Sequence, residues 1–354
     1  MRRAALLLAL LSTTALGGDD EIDELIRRLD HGVEVVRWDA ADRLRRLGPA
    51  AEPAIPALIQ AMKADSLWAD DALVAIGAPA VPAIQELLAM PDRRADAIRA
   101  LGKLGPAAAD AATPIAKLLE DRDPEVRIAA AKALGRIGTR DAAEALKRAL
   151  RDRSAQVRGC AAAGLFAIGA GSASSANVAV KALGTDPSYR LRNALVEIGD
   201  PIVEPLVRAY PSLRDGSKAH AIEVFEELAG RAKGALPLLI RVVAEDPTAG
   251  AALRRCAAEA LAAIGLDDPA CIPVLRVRRY DSACCEPVLE ALATLGEPAV
   301  PTIADLLELG TEDMKEAAAG TLYEMGPVAA AARPQLRGCL DHPNRTIAVR
   351  VAFA

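Results

Sequence analysis

Three histidines, six cysteines and a run of arginines are the side chains here whose chemistry could amount to more than packing. His31, His220 and His342 lie far apart, and none is followed by a glutamate, so the sequence offers no His-Glu metal pair. The cysteines are Cys160, Cys256, Cys271, Cys284, Cys285 and Cys339. None forms a C-x-x-C pair, which removes a zinc ribbon. Cys160 and Cys256 read as small core residues. Cys271 stands near Cys284 and Cys285 in one predicted helical hairpin, where an oxidising compartment would allow a disulfide. No serine or cysteine has a base placed beside it, and the glycines do not form a phosphate-cradling loop. The expectation is a protein that is not an enzyme, with no catalytic residue, cofactor or metal.

Binding chemistry is better represented. Arg276, Arg278, Arg279 and Tyr280 form the least regular stretch of the chain, and Arg254 and Arg255 precede them. Arginine and tyrosine are favoured at binding hot spots, so these six are the candidate contact residues. The competing reading is a solvated helix end whose cations complement the dipole. A basic residue also recurs at Arg37, Arg94, Arg127, Arg158, Arg254, Lys218 and Lys315. Such a ladder either lines a groove for an anionic partner or binds neighbouring segments together. Trp38 and Trp68 are expected to fill space near the N-terminal end. Asn344-Arg345-Thr346 is a glycosylation sequon.

The elements that carry these residues repeat. An apolar residue followed by glycine recurs at Gly48, Gly77, Gly105, Gly138, Gly169, Gly199, Gly265, Gly296 and Gly326, with Ala229 in the remaining place. The nine steps average about 31 residues, inside the range of helical repeats. Four residues before each landmark stands leucine, or Phe225 once. Eight before it stands alanine in most repeats, as at Ala40, Ala97 and Ala130. Offsets of eight, four and one fall on one face of an α-helix, which makes them its buried stripe. Small residues five before the landmark, such as Ala133 and Gly164, permit close helix approach. The glycine suits the left-handed residue that ends a helix. Prolines such as Pro56, Pro82 and Pro301 then open a second helix, where a missing amide proton is harmless. Asp123-Pro124 and Asp246-Pro247 read as starts of the glycine-terminated helix.

The segment Asp121–Gly138, DRDPEVRIAAAKALGRIG, resembles the short HEAT repeat of phycobilisome-lyase-like proteins. Arg158–Gly169 and Arg254–Gly265 repeat its second half. The resemblance spans roughly residues 20–340 and implies an all-α fold, an α-α superhelix of about ten antiparallel helix pairs. It implies that the glycine-terminated helices line the concave side, and that aspartates six residues before Arg127 and Arg158 bond adjacent repeats. Ala229 and the unmotivated end at 344–354 depart from the pattern; the last segment reads as a cap.

Aromatic residues make up only 3% of the chain, so alanine and leucine must supply the core, a composition suited to helix. The net charge of −5 disfavours general phosphate binding, and no later segment approaches a membrane-spanning length. Residues 1–17 have a basic start, an apolar run and small residues at Ala15 and Gly17, the form of a cleavable signal peptide. The sequence thus reads as a signal peptide over 1–17 and a repeat array over 18–354. The expected function is that of a non-catalytic, exported scaffold, periplasmic or secreted, that binds a protein partner through its concave surface. A lyase-like enzyme is the first alternative, against which export argues; a nucleic-acid groove is the second, against which both charge and the leader argue. The intact mass of the natively expressed protein is expected to lack residues 1–17, and a soluble form retaining them would remove the export reading.

Overall fold

A computed structural model describes residues 18–64, 68–246, 249–276 and 285–353. The leader therefore lies outside the described residues, as do Arg278, Arg279, Tyr280 and Cys284. Among the described residues there is helix and no strand, and no helix is long and apolar enough to cross a membrane. The chain divides into two compact units, 1–178 and 179–354.

The first unit runs α1 (Gly18–Leu29), α2 (Glu34–Leu47), α3 (Ile55–Lys63), α4 (Ala69–Ile76), α5 (Val81–Glu86), α6 (Arg94–Leu104), α7 (Ala112–Lys117), α8 (Pro124–Ile137), α9 (Ala142–Ala149) and α10 (Ala155–Ala167). Helix α11 (Ala173–Thr185) follows and crosses the division. The second unit continues with α12 (Tyr189–Ile198), α13 (Val203–Ala209), α14 (Asp215–Leu228), α15 (Leu236–Ala244), α16 (Ala251–Ile264), α17 (Ile272–Arg276), α18 (Cys285–Ala293), α19 (Val300–Leu309), α20 (Glu312–Met325), α21 (Arg333–Gly338) and α22 (Arg345–Phe353). Within each unit the glycine-terminated helices pack in sequence: α2 on α4, α6 on α8, α8 on α10, α14 on α16, α16 on α18 and α18 on α20. The terminal α22 lies against α20 and buries Ile347 and Val351, as a cap should.

The stripe inferred from spacing is the core. All ten residues four before a landmark, from Leu44 to Leu322, are at most 1% exposed. Ala40, Ala69, Ala97, Ala130, Ala161, Ala221, Ala257 and Ala318, eight before, are fully buried. Small residues also let backbones touch. A Cβ on Gly135 would sit 2.7 Å from the Cα of Gly164, and one on Gly102 would sit 3.0 Å from the Cα of Ala133. At these crossings even an alanine would force the neighbouring helix to shift.

Three details differ from the sequence reading. Gly138 takes the left-handed helical conformation expected of a helix end (φ 78°, ψ 16°). Gly48, Gly77, Gly105, Gly199, Gly296 and Gly326 share the positive φ but have ψ between −129° and −147°, because the chain must reverse into a tight 3₁₀ turn before the second helix. Helix α16 starts at Ala251 rather than at Asp246, whose carbonyl accepts the Ala249 amide in a preceding turn. Trp38 is 54% exposed, not buried: it lies ten residues before Gly48, off the stripe. No disulfide joins Cys271 to Cys285; burial pushes the Cys271 thiol up, and pairing with Cys284 falls outside the described residues. Asp123 does cap its helix, its Oδ1 accepting the Glu125 amide at 2.9 Å.

Ala229 keeps the same reversal at φ 47° and ψ −134° and is the one non-glycine with positive φ among the described residues. An L-residue is strained there by about 1–2 kcal/mol. Ala229→Gly is therefore expected to stabilise the protein by about 0.5–1 kcal/mol after the unfolded-state entropy of glycine is subtracted. Gly77→Ala, whose Cβ would meet nothing within 4 Å, should lose about 1–2 kcal/mol from backbone strain alone. Denaturation midpoints shifting the same way in both variants would refute this account.

Candidate interaction surfaces

A basic residue stands eleven positions before seven of the ten landmarks, and where it is arginine its guanidinium turns into the protein. Arg37 Nη1 donates to the His31 carbonyl (2.7 Å), Arg94 Nε to that of Leu88 (2.8 Å), Arg158 Nη1 to that of Asp152 (2.9 Å), and Arg254 Nη1 to that of Ala249. Each thereby ties the start of its helix to the turn before it. These arginines are consequently not a basic groove.

In the middle of the first unit the same arginines also bond the next repeat. Arg94 Nη1 reaches Asp121 Oδ2 at 2.6 Å, 27 residues on. Arg127 grips Asp152 with Nε at 2.8 Å and Nη2 at 3.1 Å, while its Nη1 donates to the Asp121 carbonyl at 2.9 Å. Each aspartate further accepts a main-chain amide, Asp123 for Asp121 and Ser154 for Asp152. Burial pushes Asp121 up, but the Asp123 amide and Arg94 outweigh it and hold the carboxyl below its ordinary value. The result is one continuous chain, Arg94–Asp121–Arg127–Asp152–Arg158, as the resemblance implied.

The six candidate contact residues are not assembled into one patch among the described residues. Arg254 is spent on its turn. Arg255, on exposed α16, donates Nε to Glu259 Oε1 at 2.9 Å. Arg276, at the end of α17, donates Nη2 to Asp305 Oδ2 on α19 at 2.9 Å. Arg255 therefore belongs to the row of glycine-terminated helices and Arg276 to the other row. Arg278, Arg279 and Tyr280 cannot be placed on either, lying outside the described residues.

What the sequence reading missed is a row of carboxylates on the exposed side of the glycine-terminated helices of the second unit. Six residues before the landmark stand Glu223, Glu259 and Glu290 in three consecutive repeats; that offset was visible in the spacing. Glu226 and Glu227 flank the first, Glu286 precedes the last, and Glu324 follows from α20. Arg192 engages Glu223 and Glu227 (2.9 and 3.1 Å), His220 engages Glu223 (3.0 Å), and Arg255 engages Glu259. Glu226 and Glu290 have no ion pair among the described residues. Both are pushed above the ordinary carboxylate value, first by burial and then by their neighbours: Glu259, Glu223 and Glu227 act on Glu226, and Glu286, Glu324 and Glu259 on Glu290. The corresponding face of the first unit is balanced: Lys103 bridges Asp70 and Asp71 at 2.9 and 2.8 Å, and Arg45 and Arg46 hold Asp42.

Helix pairs stacked through a shared buried stripe, each ending at a positive-φ residue, make this an α-helical repeat protein. Residues 81–198 carry HEAT repeats, where the family profile matches over 81–165 and 112–198. The fold is also that of solved karyopherins. Importin beta in an ammonium sulfate condition is 14% identical with a TM-score of 0.54, covering 94% of this chain and 57% of that one. Kap121p bound to the extreme C-terminus of the protein phosphatase Cdc14p is 11% identical with a TM-score of 0.50, covering 96% and 45%. Kap121p bound to Pho4p is 12% identical with a TM-score of 0.50, covering 94% and 45%. The chain spans about half the length of these proteins, and the likeness is one of fold. No curated protein matches the sequence.

Breaking the ladder should be expensive. Arg127 is 3% exposed, so Arg127→Ala leaves the Asp152 carboxylate under-partnered and is expected to lose about 3–5 kcal/mol. Asp121 titrates lower folded than unfolded, so its share of stability is present above the unfolded value near 3.8 and disappears as pH falls through the folded one. Acid melts of wild type and Asp121→Asn should therefore converge at low pH; a gap that persists there would rule out this role.

Proposed function

We propose that this chain is a non-catalytic scaffold that works outside the cytoplasm and holds a basic segment of a protein partner along the glycine-terminated helices of its second unit. The observation that carries the reading is the carboxylate row, and within it Glu226 and Glu290. Two acidic side chains kept close to other acids, with no ion pair of their own among the described residues and only Arg192 pulling against the repulsion at Glu226, lower the stability of the free protein, and a polar arrangement that opposes stability marks a working surface. Lysine and arginine side chains from a partner would supply the missing counter-charge and speed the encounter. The row sits on rigid helices rather than loops, which suits an extended segment crossing several repeats. Kap121p has been solved bound to the extreme C-terminus of Cdc14p and bound to Pho4p, which supports a helical array of this fold as a holder of protein segments. The leader-like residues 1–17 support export. The same carboxylates would repel nucleic-acid phosphates.

The test uses a fluorescein-labelled decapeptide alternating lysine and serine, with a glutamate–serine decapeptide as control. Wild type is expected to bind the lysine peptide, with affinity falling as salt rises, and to ignore the glutamate peptide. The double variant Glu226→Gln/Glu290→Gln should bind several-fold more weakly while being no less stable. A carboxyl raised in the folded state favours folding below the unfolded value of 4.5, and that advantage is lost as pH rises through the folded value. The Gln variant should accordingly melt slightly higher than wild type at pH 7, within about 0.5 kcal/mol, and no higher near pH 4. Equal peptide affinity in the two proteins would end the proposal.

A further inference from the structure

In the first unit, adjacent repeats carry the dipeptides Asp121-Arg122 and Asp152-Arg153 at the same register, 31 residues apart. The aspartate of each pair turns inward to the arginine ladder, and the arginine beside it is left at the surface. The helix between them, α9, carries Arg148 in its last turn and is followed by Arg151. These four arginines surround one cleft of about 480 Å³. Its apolar wall is Ala116, Leu119, Ala145 and Ala149, and the buried Arg127–Asp152 pair also lines it.

Charge in the cleft is far from balanced. Of the three carboxylates on its walls, Asp121 is taken by Arg94 and Asp152 by Arg127, which leaves Glu120 against four exposed guanidinium groups. Arg153 Nη2 donates to the Arg122 carbonyl at 3.2 Å, so the two corners lie against one another. The guanidinium groups of Arg122, Arg148 and Arg151 make no hydrogen bond or ion pair with a described residue; Arg148 exerts only a minor pull on Glu144, which Lys147 already holds at 2.7 Å. Four unmatched cations converging on a concave site repel one another unless an anion occupies it. Guanidinium forks match the paired oxygens of an oxyanion, and the volume falls within that of small-ligand sites. One negative charge would not offset four cations, so the ligand carries at least two.

We propose that this cleft is a binding site for a multiply charged oxyanion of the phosphate class, either free or carried on a side chain of another protein. The site uses other residues, another unit and the opposite charge from the carboxylate row, and it stands or falls independently of that reading.

The experiment is titration calorimetry at low salt with inorganic pyrophosphate, with a phosphoserine peptide and with its unphosphorylated counterpart. Binding of pyrophosphate or phosphopeptide, but not of the unphosphorylated peptide, is the expected result. The tighter of the two identifies the source: pyrophosphate a free ligand, the phosphopeptide a modified protein. Arg122→Ala/Arg151→Ala should weaken binding at least about tenfold, and Arg122→Lys/Arg151→Lys should lie between it and wild type, since lysine keeps charge but loses the fork. Arg122 meets the ladder only through its carbonyl, which accepts from Arg127 Nη1 at 3.1 Å and is kept in every variant, and a wild-type melting temperature will show that the fold is intact. Arg208→Ala, in the second unit, should bind as wild type. Absence of binding by both phosphate probes, equal affinity in the folded double-alanine variant, or binding of duplex DNA alone would each overturn the proposal.

Discussion

Within each unit everything depends on burying one face of each glycine-terminated helix against the next such helix. A single helix pair cannot do this alone, since its leucine and alanine stripe would face water; the neighbour supplies the other wall. Full burial of a leucine is worth about 2 kcal/mol, and one such residue recurs in every repeat. The alanines contribute little transfer energy but decide how close the backbones come. Where Gly135 meets Gly164 the two helices touch through main chain, and no larger residue could stand there. Leucine thus provides the attraction and the small residues fix the distance.

That constraint explains the landmark itself. A helix packed so closely against its neighbour has to end and turn back within a few residues, and most landmarks achieve this with a positive φ and a strongly negative ψ. Only glycine adopts that conformation freely. Ala229 accepts it under strain, which shows that packing on both sides prescribes the turn rather than local preference. The second helices, opened by proline and often only six to ten residues long, then fit into what space remains.

The arginine ladder is a weaker source of stability than its distances suggest. Buried ion pairs must offset the desolvation of both charges and gain little over apolar packing of the same volume. Arg37, Arg94, Arg127, Arg158 and Arg254 each close on a carbonyl of their own turn, and Arg94 and Arg127 also reach an aspartate in the next repeat. The shared function is local, fixing where each helix begins. The inter-repeat bonds add register in the middle of the first unit, where α6, α8 and α10 lie closest.

Periodicity exposed whatever must recur for packing, and for that reason the stripe, the glycines and the prolines were readable in full from the sequence. Features without packing duties were harder to place. Trp38 sits off the stripe, and aromatic character alone gave no hint of which side it occupies. The arginines near residue 276 stood out as irregular, yet irregularity in sequence does not bring side chains together: Arg255 and Arg276 lie on different rows and each faces a carboxylate. The acidic row and the arginine cleft were both present as fixed offsets from the glycine or from the ladder aspartate. They went unnoticed because charge at a solvated offset is unconstrained by folding and carries no periodic signal of its own. The same freedom gives those positions their meaning. A residue six before the glycine can be Asp71, Arg99, Lys132, Asn193 or Glu290 without disturbing the core, so stability cannot be what placed three glutamates there in succession or left four arginines around one cleft. Selection for contact with something of opposite charge is the physical reason that remains for both.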